Sequence, residues 1–430
     1  MYVYPAVTLR RVFTRLRDVP GYILAVPSGT SAIPDGALCF VASWLPFTQT
    51  TTDNLGMIDR PQCSSIVLHG SILCLVILLV SNPISGQKDD SQNVLQRINA
   101  YITAETAEHS FRGAVLVGTN GKVVFEKAYG MADEEWNVPN TTTTKFRIAS
   151  LSKQFTAACV LLLQERGRLK LRDSVSRYLP GLPEAWQSIT IHQLLTHTSG
   201  IPNYTDSPQL ARINRTGATP QEMIALVADK PLDFTPGTRW HYTNTGYILL
   251  GMMIEKISGQ SYADFLKTNI FEPLGMTNSG YDRATDILKE RASGYQIKGG
   301  LANGDFIDMT IPFAAGGIYS TVEDMYRWNE ALAQAGKVLS ADSLKQMFTE
   351  YPEATYQGQN YGYGVVISRQ KFGRLLYYHG GGVEGFSSSI QRYPNERVCI
   401  VVLSNLSSYK PWELADHIAA DLFQGPLAAR

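Results

Sequence analysis

The sequence predicts an α+β protein in which an antiparallel sheet is flanked by helices, with a mostly helical second lobe. Three observations lead to this fold class. Short β-type runs separated by turn residues occur soon after residue 90 and again near the end of the chain. Between these two groups, residues 185–345 are mostly helix and loop in pattern. The sheet is therefore completed late, by strands from both ends of the folded region.

The first β-type signal is a hairpin that follows a helix. Residues 92–107 have the spacing of an amphipathic helix leading into the domain. Residues 111–118 then form an apolar run, Asn120-Gly121 supplies a tight turn, and residues 123–130 return. This order predicts a helix packed beside the first two strands.

The middle of the chain is helical, and its end returns to strands. A helical pattern runs over 150–167, and it is followed by helix-like segments at Ile191–Leu195, Thr219–Val227, Tyr247–Ile257 and Val322–Ala333. The last β-type runs are Leu375–Tyr378, Phe386–Tyr393 and Val398–Ser404. A closing helix is predicted over 412–423.

Composition indicates a globular protein and argues against a nucleic-acid partner. Apolar residues make up 44% of the 430 residues and charged residues 18%, which is the balance of a chain with a real core. Lys plus Arg equals Asp plus Glu at 38 each, so no net field attracts nucleic acid. Cys159 and Cys399 lie in apolar runs and are predicted to be free core thiols, although a bridge between them is left open.

The front of the chain predicts export. Residues 72–80 are unbroken apolar sequence, followed by small residues and then a polar start at 87, which is typical of a secretory signal peptide over 57–86. The positive region before it is weak, so an uncleaved membrane anchor through residues 65–81 is the alternative. Either reading gives a periplasmic, secreted or membrane-anchored protein. Residues 1–56 have no sustained period and are interpreted as a non-native or disordered extension, with Met57 as the initiator.

The strongest chemical signal is a serine three residues before a lysine, Ser150 and Lys153. That spacing places both side chains on one face of a helix. A serine hydroxyl is a weak nucleophile and needs a neighbouring group to take its proton. A lysine can do so when burial or nearby positive charge lowers its pKa. The same spacing also fits an ordinary helix with a surface lysine.

Two further motifs could complete a site. Tyr242 and Asn244 lie two apart before an apolar helix, so both could face a cleft, where the tyrosine could relay a proton. A packing tyrosine and a helix-capping asparagine are the structural alternative. His379 precedes Gly380, Gly381 and Gly382 at the end of a predicted strand, where glycines let a ligand approach the backbone.

In this order, the three motifs resemble those of the penicillin-recognising serine hydrolases, which include class C β-lactamases, D-alanyl-D-alanine carboxypeptidases and related esterases. Residues 194–202 and 315–320 also look like characteristic structural stretches of that group. The resemblance covers roughly residues 95–425 and implies a β-lactamase/transpeptidase-like fold, which we assign to 92–425. It implies no cofactor and no metal. The partner it implies is a small-molecule or peptide acyl substrate.

The resemblance also implies a role for each motif. The catalytic set would be Ser150, Lys153 and Tyr242, and the substrate-binding set would be Asn244, His379, Gly380, Gly381 and Gly382. Within the second set, the backbone amide of Gly382 would join that of Ser150 in an oxyanion hole. Whether Lys153 or Tyr242 is the main base is left open.

One departure shapes the expected function. Where the β-lactamases have Lys-Thr-Gly, this chain has His379-Gly380-Gly381, and a histidine is mostly neutral at pH 7. An esterase or D-amino-acid peptidase acting through an acyl-enzyme is therefore expected rather than an efficient β-lactamase. A metal hydrolase is disfavoured because the H-E-x-x-H motif is absent. The alternative from another class is a non-catalytic sensor or cell-wall-binding protein on the same fold.

Overall fold

The computed structural model describes residues 85–424. The predicted extension over 1–56 and the apolar segment over 65–81 lie outside this part of the chain. Of the predicted leader over 57–86, the described part contains Ser85 and Gly86, which are the first two residues of the first helix. Within residues 85–424, no helix combines the length and the apolar character that a membrane crossing requires.

The strands of the described region fall into one large sheet and three small ones. In chain order they are β1 (Gly113–Thr119), β2 (Lys122–Tyr129), β3 (Met131–Asp133), β4 (Val138–Pro139), β5 (Phe146–Arg147), β6 (Gly280–Tyr281), β7 (Tyr295–Ile297), β8 (Leu301–Asn303), β9 (Ile318–Ser320), β10 (Thr355–Tyr356), β11 (Gln359–Tyr361), β12 (Val366–Ser368), β13 (Leu376–Val383), β14 (Phe386–Tyr393) and β15 (Val398–Ser404).

The large sheet has eight strands in the order β10-β11-β12-β13-β14-β15-β1-β2, and every neighbouring pair is antiparallel. Its first strand in the chain pairs with its last, so that Gly113 lies opposite Ser404. The predicted late completion of an antiparallel sheet is therefore confirmed.

The helices occupy mainly the segment between β2 and β10, and two more flank the sheet from the chain ends. They are α1 (Ser85–Glu108), α2 (Ser152–Glu165), α3 (Ile191–Leu195), α4 (Leu210–Ile213), α5 (Pro220–Ala225), α6 (Asn244–Ser258), α7 (Tyr262–Leu266), α8 (Phe313–Gly316), α9 (Val322–Leu332), α10 (Ala341–Met347) and α11 (Pro411–Gln424). Short 3₁₀ turns cover Ala149–Leu151, Val175–Arg177, Glu184–Trp186, Tyr204–Asp206 and Pro352–Ala354, and a π turn covers Lys267–Phe271. The α+β class with a helical insert is as predicted.

Helices cover both faces of the large sheet. Along β15, Val401 packs into the core that contains α2, whereas the next residue, Val402, packs into the core formed with α1 and α11. Because successive side chains of a strand point to opposite faces, a strand covered on both sides is apolar along most of its length. Cys159 and Cys399 are buried in the first of these cores, and both are free thiols, as predicted.

Several predicted element boundaries need correction: the first helix begins at Ser85 rather than at residue 92, and two others bear on the site. The strand predicted to stop at Tyr378 continues to Val383, because residues 377–383 of β13 pair with β14 and keep the glycines in extended backbone. On its other edge, β13 pairs with β12 only as far as Tyr378. The helix predicted to begin at Tyr247 begins at Asn244, because the Thr243 side chain accepts a hydrogen bond from the Thr245 amide and caps it.

Candidate active site

Ser150 lies in a tight turn between strand β5 and helix α2. The side chains of Ala149 and Leu151 are buried while Ser150 is only half-buried, so the turn presents its hydroxyl. Ala149 has a φ of 48°, a left-handed conformation that is unusual for a residue with a Cβ. The turn is tied to the large sheet because the Ser388 hydroxyl donates to the Ile148 carbonyl at 2.8 Å.

Lys153 reaches back from the first turn of α2 to the serine. Its Nζ lies 3.2 Å from Ser150 Oγ, as the three-residue spacing predicts. The same nitrogen lies 2.8 Å from Asn244 Oδ1 and 2.8 Å from the Ala315 carbonyl oxygen. The lysine side chain is fully buried, with 0% of its surface exposed.

This environment favours the neutral amine. Burial lowers the pKa of Lys153 well below its ordinary value, and Lys153 forms no ion pair with a carboxylate within residues 85–424. A neutral amine has two N–H groups and one lone pair. Asn244 Oδ1 and the Ala315 carbonyl can only accept, so they take the two N–H groups. The lone pair is then left facing the Ser150 hydroxyl.

Tyr242 is the second side chain that contacts the serine hydroxyl. Its hydroxyl lies 2.9 Å from Ser150 Oγ. Burial raises the pKa of Tyr242 well above its ordinary value, and the contact with Ser150 partly offsets this rise. The phenol is therefore neutral and donates its proton to Ser150 Oγ. The serine oxygen thus accepts a hydrogen bond from Tyr242, while its own O–H faces the lone pair of Lys153.

The side chains of Tyr242 and Asn244 both reach the Ser150–Lys153 pair because the residue between them, Thr243, is extended just before helix α6. Tyr242 precedes the cap residue Thr243, and Asn244 is the first residue of the helix. The Asn244 amide N–H is bound by Asn203 Oδ1 at 3.0 Å. The Tyr242 side chain contacts Ser150 and the Asn244 side chain contacts Lys153, and the helix cap is Thr243 rather than the asparagine.

The glycine motif runs along β13 beside the serine turn. A Cβ on Gly381 would lie 2.4 Å from the Ile148 carbonyl oxygen and 3.0 Å from the Ser150 nitrogen, so only glycine fits there. A Cβ on Gly382 would meet nothing within 4 Å, because this residue faces open space. The strand edge over 379–383, which β12 leaves uncovered, therefore passes next to the backbone of Ser150.

His379 belongs to β13, and its side chain is buried instead of exposed. It is 3% exposed, and both ring nitrogens have partners. Nδ1 lies 2.6 Å from the Gly380 carbonyl oxygen, which can only accept, so Nδ1 carries the proton. Nε2 then accepts from the Tyr361 hydroxyl at 2.9 Å. Burial, with a smaller contribution from Lys153, lowers the pKa of His379 to about 3, so this residue supplies no positive charge.

Several residues at the site were not predicted as participants. The Ala315 carbonyl belongs to the stretch over 315–320, and His197 belongs to the stretch over 194–202, and both stretches stood out only as structural segments. Tyr361 belongs to no motif. The sequence does not mark a backbone acceptor, because a residue of any type can supply a carbonyl oxygen.

A cavity of about 590 Å³ adjoins the loop that carries Tyr242. Its lining mixes aromatic, acidic and basic side chains and includes Asn203, Asp206, Lys230, Asp233, Arg239 and Trp240. His241 also lines it, and its Nδ1 lies 3.2 Å from Asp233 Oδ2. Ser150, Lys153 and Tyr242 do not line this cavity, so it lies beside the serine site on the Asn203 side of the loop.

The comparisons with known proteins agree with this fold. Residues 98–423 match the Beta-lactamase family. A penicillin-binding protein of Bacillus subtilis (strain 168) is 31% identical over 355 residues, which cover 77% of this chain and 76% of that protein. The structure of an octameric penicillin-binding protein homologue from Pyrococcus abyssi has a TM-score of 0.67 at 31% identity, over 76% of this chain and 77% of that one.

An amide-hydrolysing protein is also similar. The structure of a D-stereospecific amidohydrolase from Streptomyces sp. has a TM-score of 0.63 at 27% identity, over 74% of this chain and 94% of that one. The family match spans most of the chain and coincides with the region that forms the large sheet and its helices. This chain therefore belongs to the β-lactamase family of serine hydrolases.

Proposed function

We propose that this protein hydrolyses amide, peptide or ester bonds through an acyl-enzyme on Ser150, with Lys153 as the base. The observation that carries the proposal is the set of contacts at Lys153 Nζ. Two obligate acceptors take its N–H groups, and the third contact, at 3.2 Å, is the serine oxygen. A buried amine held in this way is suited to accept the serine proton.

Acylation follows from this arrangement. The Ser150 O–H bond breaks, its proton moves to Lys153 Nζ, and Oγ forms a bond with the substrate carbonyl carbon. The carbonyl oxygen becomes an anion that the backbone amides of Ser150 and Gly382 would hold. The bond to the leaving group then breaks, and the leaving group takes a proton that passes from the Lys153 ammonium through the Tyr242 hydroxyl.

Deacylation repeats these steps with water. A water molecule gives a proton to the Tyr242–Lys153 pair and attacks the ester carbon. Ser150 Oγ leaves and recovers a proton, which returns the site to its starting state. Asn244 keeps Lys153 in place during both steps, because its amide oxygen accepts from Nζ in either protonation state.

The surroundings of β13 favour a substrate without an acidic group. A neutral, buried His379 offers no cation for a substrate carboxylate, which disfavours acidic β-lactams. The uncovered edge of β13 over 379–383 could pair with an extended peptide or amide backbone. The similarity to the Streptomyces D-stereospecific amidohydrolase supports D-amino-acid amides and peptides as the first substrates to test.

Steady-state turnover distinguishes the proposed hydrolase from a non-catalytic sensor on the same fold. The protein is mixed with p-nitrophenyl acetate, D-phenylalanine amide and benzylpenicillin, with Ser150→Ala as the control. We expect continued turnover of the ester and the amide, and slow or no turnover of the penicillin. A single stoichiometric burst with every substrate would establish the sensor instead.

We also propose that the protein is exported. The support is the apolar run over 72–80 with small and polar residues after it. Fractionation of cells that produce the full chain would test this, since activity retained in the cytosolic fraction would contradict it.

A further inference from the structure

We propose that His197 is a positioning residue that sets the place of the Tyr242 hydroxyl. It would do so by holding the backbone on both sides of the tyrosine. This inference rests on the proposed function, because it matters only if Tyr242 acts on Ser150. His197 makes no contact with Ser150 or Lys153 among the hydrogen bonds of the described residues, so its effect would pass through Tyr242.

Two hydrogen bonds from His197 flank the tyrosine. Its backbone carbonyl accepts from the His241 amide at 3.0 Å. Its ring nitrogen Nδ1 accepts from the Thr243 amide at 3.2 Å. The residues immediately before and after Tyr242 are thus bound to one residue, and the tyrosine between them has little freedom to shift along the loop.

The imidazole also packs against the phenol ring. The ring centroids of His197 and Tyr242 are 4.4 Å apart with the planes inclined at 36°. Tyr361 contacts the imidazole from another side, with its centroid at 4.6 Å, and Tyr247 lies at 5.2 Å. The position of the tyrosine ring is therefore limited by packing as well as by the two backbone bonds.

The protonation state fits this role. The fully buried imidazole has a pKa lowered well below its ordinary value, first by burial and then by the nearby Lys153. A neutral ring can leave Nδ1 as an acceptor for the Thr243 amide, which puts its proton on Nε2. In the described part of the chain Nε2 has no hydrogen-bond partner, so the bond to Thr243 is the ring's single hydrogen bond there.

His197 is itself held firmly. Its φ of 59° is left-handed, which is costly for a residue with a Cβ. The neighbouring backbone fixes this conformation, since the Thr198 amide donates to the Gln193 carbonyl at 2.9 Å and the Thr196 hydroxyl donates to the His192 carbonyl at 2.8 Å. A rigid residue with an acceptor aimed at the loop is what positioning requires.

Two substitutions distinguish the contribution of the Nδ1 acceptor of His197 from that of its ring packing. His197→Asn keeps an oxygen acceptor near the Nδ1 position, and asparagine tolerates the left-handed backbone better than most residues. His197→Ala removes both the acceptor and the ring. We expect labelling by a fluorophosphonate probe, which joins phosphorus to Ser150 Oγ and releases fluoride, to slow by about 100-fold in His197→Ala, the cost of a displacement of roughly 1 Å. We expect the labelling rate of His197→Asn to exceed that of His197→Ala by at least about tenfold.

A double-mutant cycle with Tyr242→Phe gives the decisive readout. If His197 acts through the tyrosine hydroxyl, His197→Ala slows acylation by no more than about twofold once that hydroxyl is gone. If His197 only stabilises the fold, its effect on the rate is the same in both backgrounds, and that result overturns the proposal. Should His197→Ala fail to fold, the cycle is run with His197→Asn, for which the same two outcomes decide.

His192→Ala is the matched control, because His192 lies five residues earlier and bonds to Tyr363 and Glu353 instead. We expect its acylation rate to stay near that of the parent protein. An equal loss in His192→Ala would show that any histidine lost from this segment has the effect, and would contradict the proposal. A wild-type rate in Tyr242→Phe alone would instead refute the role of Tyr242 in the proposed function, which distinguishes the two failures.

Discussion

Lys153 Nζ and Asn244 Oδ1 lie 2.8 Å apart, although 91 positions separate the two residues in the chain. The partner of the buried amine is an amide and not a carboxylate. An amide oxygen fixes the position of the nitrogen without adding the negative charge that would keep it protonated. This pair therefore combines close positioning with a low proton affinity, which is what the proposed base requires.

The first prediction exchanges that amide for a carboxylate. Asn244→Asp places a negative charge beside Lys153 and should raise its pKa, so that the amine is protonated at neutral pH. We expect the acylation rate at pH 7 to fall and the rate-against-pH curve to move to higher pH. Asn244→Ala is the control, because it removes the acceptor without adding charge and should not move the curve upward. Equal upward shifts in the two variants would refute the electrostatic argument.

The second prediction removes the base. Lys153→Ala should fold and should acylate more slowly by ~10²–10⁴-fold, the usual worth of a positioned base. The measurement is the rate of fluorophosphonate labelling. The control is Lys337→Ala, because Lys337 is exposed and is remote from Ser150 in the sequence. Near-full activity in Lys153→Ala would show that the assignment of the base is wrong.

The third prediction concerns stability and pH. Folding lowers the pKa of Lys153 below the value of 10.5 that it has in the unfolded chain. At a pH between the folded-state pKa and the unfolded-state pKa, the unfolded chain therefore binds more protons than the folded one. The contribution of Lys153 to the free energy of unfolding therefore rises with pH in this window and levels off above 10.5. Its slope is at most about 1.4 kcal/mol per pH unit.

Lys153→Met provides the reference for this measurement because it lacks the titrating group. Denaturant unfolding of both proteins across a neutral-to-alkaline series should show the parent protein gaining stability relative to the variant as pH rises. A difference that stays constant over the series, or shrinks, would mean that the pKa of the lysine is not lowered.

The fourth prediction compares two adjacent glycines. Gly381→Ala puts a Cβ 2.4 Å from the Ile148 carbonyl oxygen, so the serine turn or the strand must move. We expect a loss of about 1–3 kcal/mol in the free energy of unfolding, with a slower acylation. Gly382→Ala meets nothing within 4 Å and should unfold like the parent protein. Equal destabilisation of the two variants would contradict the tight approach at Gly381.

Much of the site could be predicted from sequence because its residues form short local patterns. Ser150 and Lys153 are three apart, and Tyr242 and Asn244 are two apart, so local periodicity alone places each pair on one face. The fold class was predictable for a related reason, since β-type runs lie at both ends of the folded region and helical patterns lie between them. β1 and β15 are mostly apolar and are buried along their whole length.

The rest depends on contacts between distant segments. The Ala315 carbonyl reaches Lys153 across 162 positions, and no residue type marks a backbone oxygen. Gly380–Gly382 suggest a turn because glycine is rare in strands, yet pairing with β14 keeps them extended. The burial of His379 and the hydrogen bonds of His197 likewise depend on the tertiary surroundings.

The central claim is that Ser150 is an activated nucleophile, and intact mass measures this most directly. The 87–430 fragment and its Ser150→Ala variant are incubated with a fluorophosphonate probe, after circular dichroism has shown that both are folded. We predict a single adduct on the parent protein and none on Ser150→Ala. No adduct on the folded parent protein, or an equal adduct on the variant, would contradict the account.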